Sequence, residues 1–139
     1  MRVLQGRVLV VDDNRVHRTI ASTMLRGWGL EVSLAVDGQE AVSLITQGAS
    51  SALPDLVLMD LRMPVMDGYA ATRRIREWES QAGRNTDSTR LTIVALTADA
   101  FESDRQRCLA AGMDAFLSKP ITKAVLRTTL GRWLTAAAG

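Results

Sequence analysis

Several features that mark common classes of protein are scarce in this chain of 139 residues. It has one cysteine, Cys108, so it can form neither an internal disulfide nor a zinc site built on cysteines. Aromatic residues make up 4%, and the net charge of +2 comes from 17 basic and 15 acidic residues that are scattered along the chain. With such a balance, no strong electrostatic field indicates a nucleic-acid partner or a membrane surface. We therefore expect no nucleic-acid partner and no membrane contact.

Long apolar segments are missing as well. No run approaches the roughly 18 residues that a membrane span needs, and the N-terminus lacks the apolar stretch of a signal peptide. We expect a cytoplasmic domain, with any membrane tether supplied by a longer parent protein. The length suits one domain, which we assign to residues 1–139 with a core at about 6–134.

Short aliphatic runs, in contrast, are plentiful. Apolar residues form 47% of the chain, and the runs at 8–11, 31–35, 55–59, 91–96 and 115–117 are predicted to be strands. Helical spacings separate them; in the first, Val16, Ile20 and Met24 recur every four residues and are predicted to face the core. Strand–helix–strand units connect right-handedly. The sequence therefore predicts a (βα)₅ fold, an α/β domain whose five-stranded parallel sheet has helices on both faces.

Polar residues follow four of the predicted strands. In an open parallel sheet, ligands bind at the carboxyl ends of the strands. The groups expected to meet there are three carboxylates, a hydroxyl and an ammonium, from Asp12 and Asp13, Asp60, Thr97, and Lys119 before Pro120. Taken singly, each residue has a structural explanation, such as capping of the next helix. Their combination, in this order, favours a functional site.

This combination of groups suits phosphoryl transfer. Three carboxylates repel one another unless a cation lies among them. Mg²⁺ takes one or two carboxylates and completes its octahedron with water and phosphate oxygens. Lys119 can pair with Asp60 or with an added phosphoryl group, and Thr97 can donate to a phosphoryl oxygen. Asp60 is therefore a candidate nucleophile that forms an acyl phosphate.

The segments around these residues closely resemble the receiver domains of two-component signalling, over roughly residues 6–134. The matching segments are 8–14, 59–68, 95–98 and 112–120. The resemblance implies a flavodoxin-like fold with strand order 2-1-3-4-5. It also implies that Asp60 is the phosphoacceptor and that Mg²⁺ is held by Asp12, Asp13, Asp60 and the backbone carbonyl of Arg62.

The same resemblance implies a switch beside the phosphoacceptor. Thr97 would move towards the phosphoryl group and the Phe116 ring would follow into the space behind it. An ordinary core aromatic remains the alternative for Phe116. The peptide bond between Lys119 and Pro120 is expected to be cis.

The partner implied is a histidine kinase dimerisation domain or a histidine phosphotransfer domain, held by a modest and transient interface. We expect it beside the first helix and the loop after the fifth strand. The residues predicted to contact it are Asn14, Arg15 and Arg18, exposed on that helix, and Ile121. His17 is expected to be a surface histidine, and the isolated domain to be a monomer.

Segments 63–68 and 96–101 look most like the receivers of hybrid sensor histidine kinases, and we expect a bacterial one. The last helix, 121–134, lacks the arginine-rich pattern of receivers that dimerise to bind DNA. A free-standing single-domain response regulator is the alternative. A degenerate receiver would have lost an acidic residue, Thr97 or Lys119, and none is lost.

Two unrelated classes are disfavoured by the placement of the aspartates. A haloacid-dehalogenase-type phosphatase would carry its nucleophile and a second aspartate two residues apart after the first strand. Here Asp12 and Asp13 are adjacent, and Asp60 belongs to another strand. A flavin-binding module would need a phosphate-cradling loop where these two carboxylates stand.

One further hypothesis concerns the lifetime of an aspartyl phosphate. Arg62 lies two residues after the acceptor and Asp99 two after the switch threonine, with opposite charges. We hypothesise that they pair over the site and shield it from water. Should both point into solvent, the pair would shield nothing.

Overall fold

Strands and helices alternate along the chain in the computed structural model, which describes residues 4–48, 53–84, 86, 89–98 and 102–134. The strands in these ranges are β1 (Arg7–Val11), β2 (Glu31–Ala35), β3 (Leu56–Asp60), β4 (Thr92–Thr97) and β5 (Ala115–Ser118). The helices are α1 (Arg15–Gly27), α2 (Gly38–Gln47), α3 (Gly68–Gln81), α4 (Glu102–Ala111) and α5 (Lys123–Trp133). None of these helices has the length and apolar character needed to cross a membrane.

All five strands are parallel and lie in the order β2-β1-β3-β4-β5, so the expected strand order is confirmed. Val11 lies opposite both Ala35 and Met59, and Asp60 lies opposite Leu96. The strand boundaries differ slightly from the sequence prediction. Asp60 and Thr97 are the last residues of β3 and β4 instead of the first residues after them.

The central strands are buried on both faces, which explains their uninterrupted aliphatic runs. Leu9, Val57 and Ile93 point to the face covered by α2, α3 and α4. Their neighbours along the strands, such as Val8 and Leu56, point to the face covered by α1 and α5. The sheet therefore separates two apolar layers.

The prediction that Val16, Ile20 and Met24 face the core is wrong for the first two. Val16 and Ile20 are 63% and 52% exposed, and the residues through which α1 packs on the sheet are Ala21 and Leu25. The spacing identified a helix correctly. It could not show which side of the helix the sheet would cover, because apolar residues occupy more than one side.

Candidate functional site

The first part of the site is the turn between β1 and α1. The Asp12 side chain is buried, and its Oδ1 accepts a hydrogen bond from the backbone N–H of Asn14 at 2.9 Å. Asp13 is exposed. Asn14 is the N-cap of α1, with its side-chain oxygen accepting from the N–H groups of Val16 and His17. The helix therefore begins two residues beyond the acidic pair and holds this turn in place.

The second part is the end of β3. Asp60 is 6% exposed, and its Oδ1 accepts a hydrogen bond from the N–H of Arg62 at 3.3 Å. The chain returns closely past this residue at Gly68, the first residue of α3. A Cβ atom on Gly68 would collide with the backbone carbonyl of Asp60. Only glycine allows this approach, which fixes the loop from 61 to 67 beside Asp60.

Lys119 connects the two parts. Its Nζ lies 3.0 Å from Oδ2 of Asp12 and 3.2 Å from Oδ2 of Asp60. The N–H of Lys119 donates to the carbonyl of Thr97 at 2.6 Å, and the peptide bond to Pro120 is cis, the isomer that we expected. The lysine is thus fixed through its backbone as well as its ammonium group.

The three aspartates form a group that fits a magnesium ion. Asp12, Asp13 and Asp60 each bring one carboxylate oxygen within 4.8 Å of the others. Three carboxylates face one ammonium, so the cluster carries an excess of negative charge that a hard divalent cation would balance. Carboxylate oxygens are also the ligands that Mg²⁺ prefers.

Burial and charge shift the pKa values of the two central groups. Burial raises the pKa of the Asp60 carboxyl above its ordinary value of 3.8; the Lys119 ammonium opposes this, and the Asp12 carboxylate adds to it. The pKa of Lys119 is raised as well. Burial alone would lower it, but the hydrogen bonds and charges of Asp12 and Asp60 together outweigh burial. Lys119 is therefore a cation at neutral pH.

Of the two proposed switch residues, only Thr97 lies at the same edge of the sheet as Asp60. Thr97 is 3% exposed at the end of β4 and lies opposite Ser118. Phe116 lies opposite Ala95 in β5, half-buried against the apolar layer of α2, α3 and α4. The structure brings Thr97 to the site and leaves the role of Phe116 a prediction.

The residues predicted to contact a partner have different environments. Arg15 is exposed as expected, whereas Arg18 is not the freely exposed residue that we expected. It is half-buried, and its Nη1 donates to the carbonyl of Asp12 at 2.7 Å. Asn14 is exposed but its side chain caps α1, and Ile121 is half-buried. The orientation of α1 on the sheet, which the sequence does not give, turns Arg18 inward.

His17 is a neighbour of the site that the sequence analysis assigned to the surface. Its Nδ1 lies 3.4 Å from Oδ2 of Asp12 and 3.5 Å from Nζ of Lys119, with 48% of the side chain exposed. In the sequence, the signal for this location is the position of His17 in the first turn of α1, directly after the acidic turn.

A cavity of about 230 Å³ opens next to His17 between α1 and α5. The apolar side chains that line the cavity include Ile20, Ala21, Met24, Pro120, Ile121 and Leu126.

Arg62 is exposed beside Asp60. Asp99 lies outside the described residues, so the pairing of Arg62 with Asp99 remains a hypothesis.

The family model that matches the chain is that of the response regulator receiver domain, over residues 8–131. The chain belongs to this family. Among its curated relatives, the receiver domain is 43% identical over 127 residues to sensor protein GacS of Pseudomonas syringae, a match that covers 91% of the chain and 13% of GacS. Several other relatives are named hybrid signal transduction histidine kinases.

Solved structures give the same assignment for this receiver domain. The receiver domain of sensor histidine kinase PA1611 from Pseudomonas aeruginosa, described with magnesium in its active site cleft, is 42% identical with a TM-score of 0.77; the match covers 93% of this chain and 97% of that one. A chain of the Saccharomyces cerevisiae co-crystal of histidine phosphotransfer protein Ypd1 with the receiver domain of Ssk1 is 32% identical with a TM-score of 0.86, covering 96% and 91%. Because the similar proteins include one from yeast, the comparisons do not support the expectation that this chain is bacterial.

The receiver domain spans only 5–16% of the length of the curated relatives it matches. Those proteins are therefore far longer than the segment they share with it.

Proposed function

We propose that this receiver domain accepts a phosphoryl group from a phosphohistidine onto Asp60 in a Mg²⁺-dependent phosphorelay. The observation that carries the proposal is the arrangement of Asp12, Asp13 and Asp60 within 4.8 Å of one another, with Lys119 paired to two of them. A purely structural cluster would balance its charges, and this one does not.

The chemistry requires little of the protein beyond positioning and neutralisation. A carboxylate oxygen of Asp60 attacks phosphorus, a P–O bond forms as the P–N bond breaks, and the electron pair of the broken bond stays on the imidazole nitrogen of the donor. Bound Mg²⁺ would be held by Asp12, Asp13, Asp60 and the carbonyl of Arg62, and would neutralise charge on the phosphoryl oxygens. Lys119 holds the Asp60 carboxylate in place before transfer and pairs with a phosphoryl oxygen afterwards.

Acetyl phosphate with Mg²⁺ tests this directly, because a small donor needs no docking surface. The intact mass should increase by one phosphoryl group, and chelation of Mg²⁺ should prevent it. Asp60→Asn should show no increase, while Asp104→Asn, which removes an equal charge from α4, should behave as wild type. Equal phosphorylation of Asp60→Asn and the wild type would reject the proposal, because another residue would then be the acceptor.

The consequence of phosphorylation is proposed to be movement of Thr97 and then Phe116. Thr97 shares the edge with Asp60, and Lys119 joins the two strand ends through its bond to the Thr97 carbonyl. Lys119→Ala should still allow phosphorylation of Asp60 but should uncouple it from this movement. If a phosphate mimic caused the same spectral change in Lys119→Ala as in the wild type, the lysine would have no role in the switch.

The donor is proposed to be a histidine phosphotransfer domain or a kinase dimerisation domain. Supporting this, exposed Val16 and Ile20 and the apolar cavity with Ile121 lie beside the site, next to the exposed charge of Arg15. Arg15→Glu should slow transfer from a phosphorylated histidine phosphotransfer domain and leave transfer from acetyl phosphate unchanged. Slowing with both donors would exclude Arg15 from docking.

We also propose that residues 1–139 form one receiver domain of a longer hybrid sensor kinase, on the cytoplasmic side, where ATP supplies the phosphoryl group. The named hybrid kinases among the relatives support this origin. Sequencing of the complete gene would test it, and an open reading frame without kinase segments would favour a free-standing regulator.

A further inference from the structure

The peptide unit between Asp12 and Asp13 joins two of the three carboxylates of the site. Its orientation therefore influences where both side chains point. The Asp12 carboxylate has further fixed contacts, with the N–H of Asn14 and the ammonium of Lys119. Among the described residues, the Asp13 carboxylate has no hydrogen-bond or ion-pair partner. Its direction consequently depends on the backbone.

On the side that faces β2, backbone hydrogen bonds hold the chain of β1 in place as far as Asp12. The N–H of Asp12 donates to the carbonyl of Ala35 at 3.2 Å. β2 ends at Ala35, and the chain then turns into α2. Asp12 itself directly follows β1, and the register of β1 with β2 ends at Val11 and Ala35. The Asp12 carbonyl therefore lies at the end of the ladder between these two strands.

Arg18 supplies the donor at this place. It lies in the first turn of α1, is half-buried, and donates from Nη1 to the Asp12 carbonyl at 2.7 Å. A hydrogen bond from a charged donor is roughly twice as strong as a neutral one. The guanidinium is planar and permanently charged, which makes it a rigid support.

We infer that Arg18 is a positioning residue for the metal-binding carboxylates, because it fixes the Asp12–Asp13 peptide from α1. This rests on the proposed function, since it assumes that Asp12 and Asp13 hold Mg²⁺. It replaces the expectation that Arg18 contacts the phosphodonor. Removal of an outer support of a metal ligand typically weakens metal affinity by about tenfold or more.

The test is a calorimetric titration of the purified domain with Mg²⁺ alone, without any phosphodonor. Arg18→Ala should weaken Mg²⁺ binding roughly tenfold, and Arg18→Lys, which keeps a cationic donor, should recover part of the loss. Arg26→Ala removes an exposed arginine from the last turn of the same helix and should bind Mg²⁺ as wild type. Equal Mg²⁺ affinities of Arg18→Ala and Arg26→Ala would overturn the inference.

Phosphorylation separates positioning from docking and from general damage. With acetyl phosphate, Arg18→Ala should be slow at low Mg²⁺ and should approach the wild-type rate at saturating Mg²⁺. Slowing seen only with a phosphohistidine donor, or slowing that saturating Mg²⁺ does not relieve, would contradict the inference. If Arg18→Ala does not fold, Arg18→Gln replaces it with the same expected outcomes. If the wild type binds Mg²⁺ but Asp60 is never phosphorylated, the proposed function fails while the Mg²⁺ comparison still decides the role of Arg18.

Discussion

In the part of the chain that the structure describes, two clusters of charged residues, each with buried carboxylates, lie at opposite ends of the sheet and differ in their balance of charge. The carboxylate cluster, at the C-terminal ends of the strands, consists of Asp12, Asp13, Asp60 and Lys119. The arginine cluster, near the N-terminal ends of β4 and β5, consists of Arg76, Glu79, Arg90 and Asp114. The first has three acidic groups and one basic group. The second has two of each.

In the arginine cluster, charged groups are paired with one another and with backbone. Arg76 binds Glu79 at 2.6 Å and Asp114 at 2.9 Å, and it also donates to the carbonyls of Leu91 and Gly112. Arg90 completes the pairing of Asp114 at 3.1 Å. These bonds attach α3 and the loop before β5 to the start of β4. The cluster thus stabilises the fold without an added ion.

The comparison shows that burial and charged residues alone do not identify a functional site. Both clusters contain buried carboxylates with cationic neighbours. In the carboxylate cluster, however, burial raises the pKa of Asp60 despite the neighbouring ammonium, because Lys119 does not compensate for the burial and for Asp12. An unbalanced cluster that a divalent cation would complete is the stronger indication of function.

The largest expected effect comes from Arg76→Ala. It would leave the buried Glu79 without its arginine partner and Asp114 with Arg90 alone, and breaking a buried ion pair in this way costs about 3–5 kcal/mol. Urea unfolding should show this loss, while the folded fraction should still be phosphorylated by acetyl phosphate. A loss below about 1 kcal/mol would mean that the arginine cluster is not the scaffold that we describe.

Mg²⁺ should stabilise the wild type by up to about 2.7 kcal/mol when its concentration is 100 times the dissociation constant. Asp13→Asn should remove most of this gain because it replaces a charged carboxylate ligand with a neutral amide oxygen. The gain should also fall as the pH is lowered through the carboxylate range, where protons compete with the metal. Thermal unfolding with and without Mg²⁺ measures it. An undiminished gain in Asp13→Asn would remove Asp13 from the metal site.

Replacing an aspartate with asparagine should change the free energy of unfolding in opposite directions in the two clusters. Asp114→Asn should destabilise the domain by about 2 kcal/mol, because Asp114 accepts a charged hydrogen bond from Arg76 and forms an ion pair with Arg90. Asp60→Asn should stabilise it in the absence of Mg²⁺, by roughly 1 kcal/mol, because it removes a buried negative charge that also lies beside Asp12.

The expected pH dependence of the Asp60→Asn gain follows from the raised pKa of Asp60. The contribution of the Asp60 carboxyl to the stability of the wild type is fully present below pH 3.8, its ordinary pKa. It is lost as the pH rises through the raised pKa, because the fold disfavours the ionised carboxyl. The gain of Asp60→Asn should therefore appear only as the pH rises above that range. Destabilisation by Asp60→Asn at neutral pH would show that the cluster is not under electrostatic strain.

The smallest effect is expected for an exposed ion pair that belongs to neither cluster. Arg7 and Glu31 are 2.7 Å apart, but their side chains are 42% and 72% exposed. Glu31→Ala should change the free energy of unfolding by about 0.5 kcal/mol or less. If Glu31→Ala lowered the free energy of unfolding as much as Asp114→Asn, solvent exposure would not explain why the Arg7–Glu31 pair contributes less than the arginine cluster.

The sequence predicted most of the fold because aliphatic runs and helical spacings are local signals. It also predicted the carboxylate cluster, since each member lies at the end of a recognisable strand. The arginine cluster was not predicted: Arg76, Glu79, Arg90 and Asp114 come from a helix and two loops, and only the tertiary structure brings them together. The wrong orientation of Val16 and Ile20 and the assumed exposure of Arg18 have one shared cause. Both depend on how α1 is rotated on the sheet.

The central claim is that Asp60, among the three clustered aspartates, is the residue that becomes phosphorylated. Sodium borohydride reduces an aspartyl phosphate to homoserine, so peptide mass spectrometry after reaction with acetyl phosphate and Mg²⁺ locates the acceptor. We expect homoserine at position 60 alone, and none when Mg²⁺ is chelated. Homoserine at position 12 or 13, or at none of the three while the intact protein gains a phosphoryl group, would contradict the account.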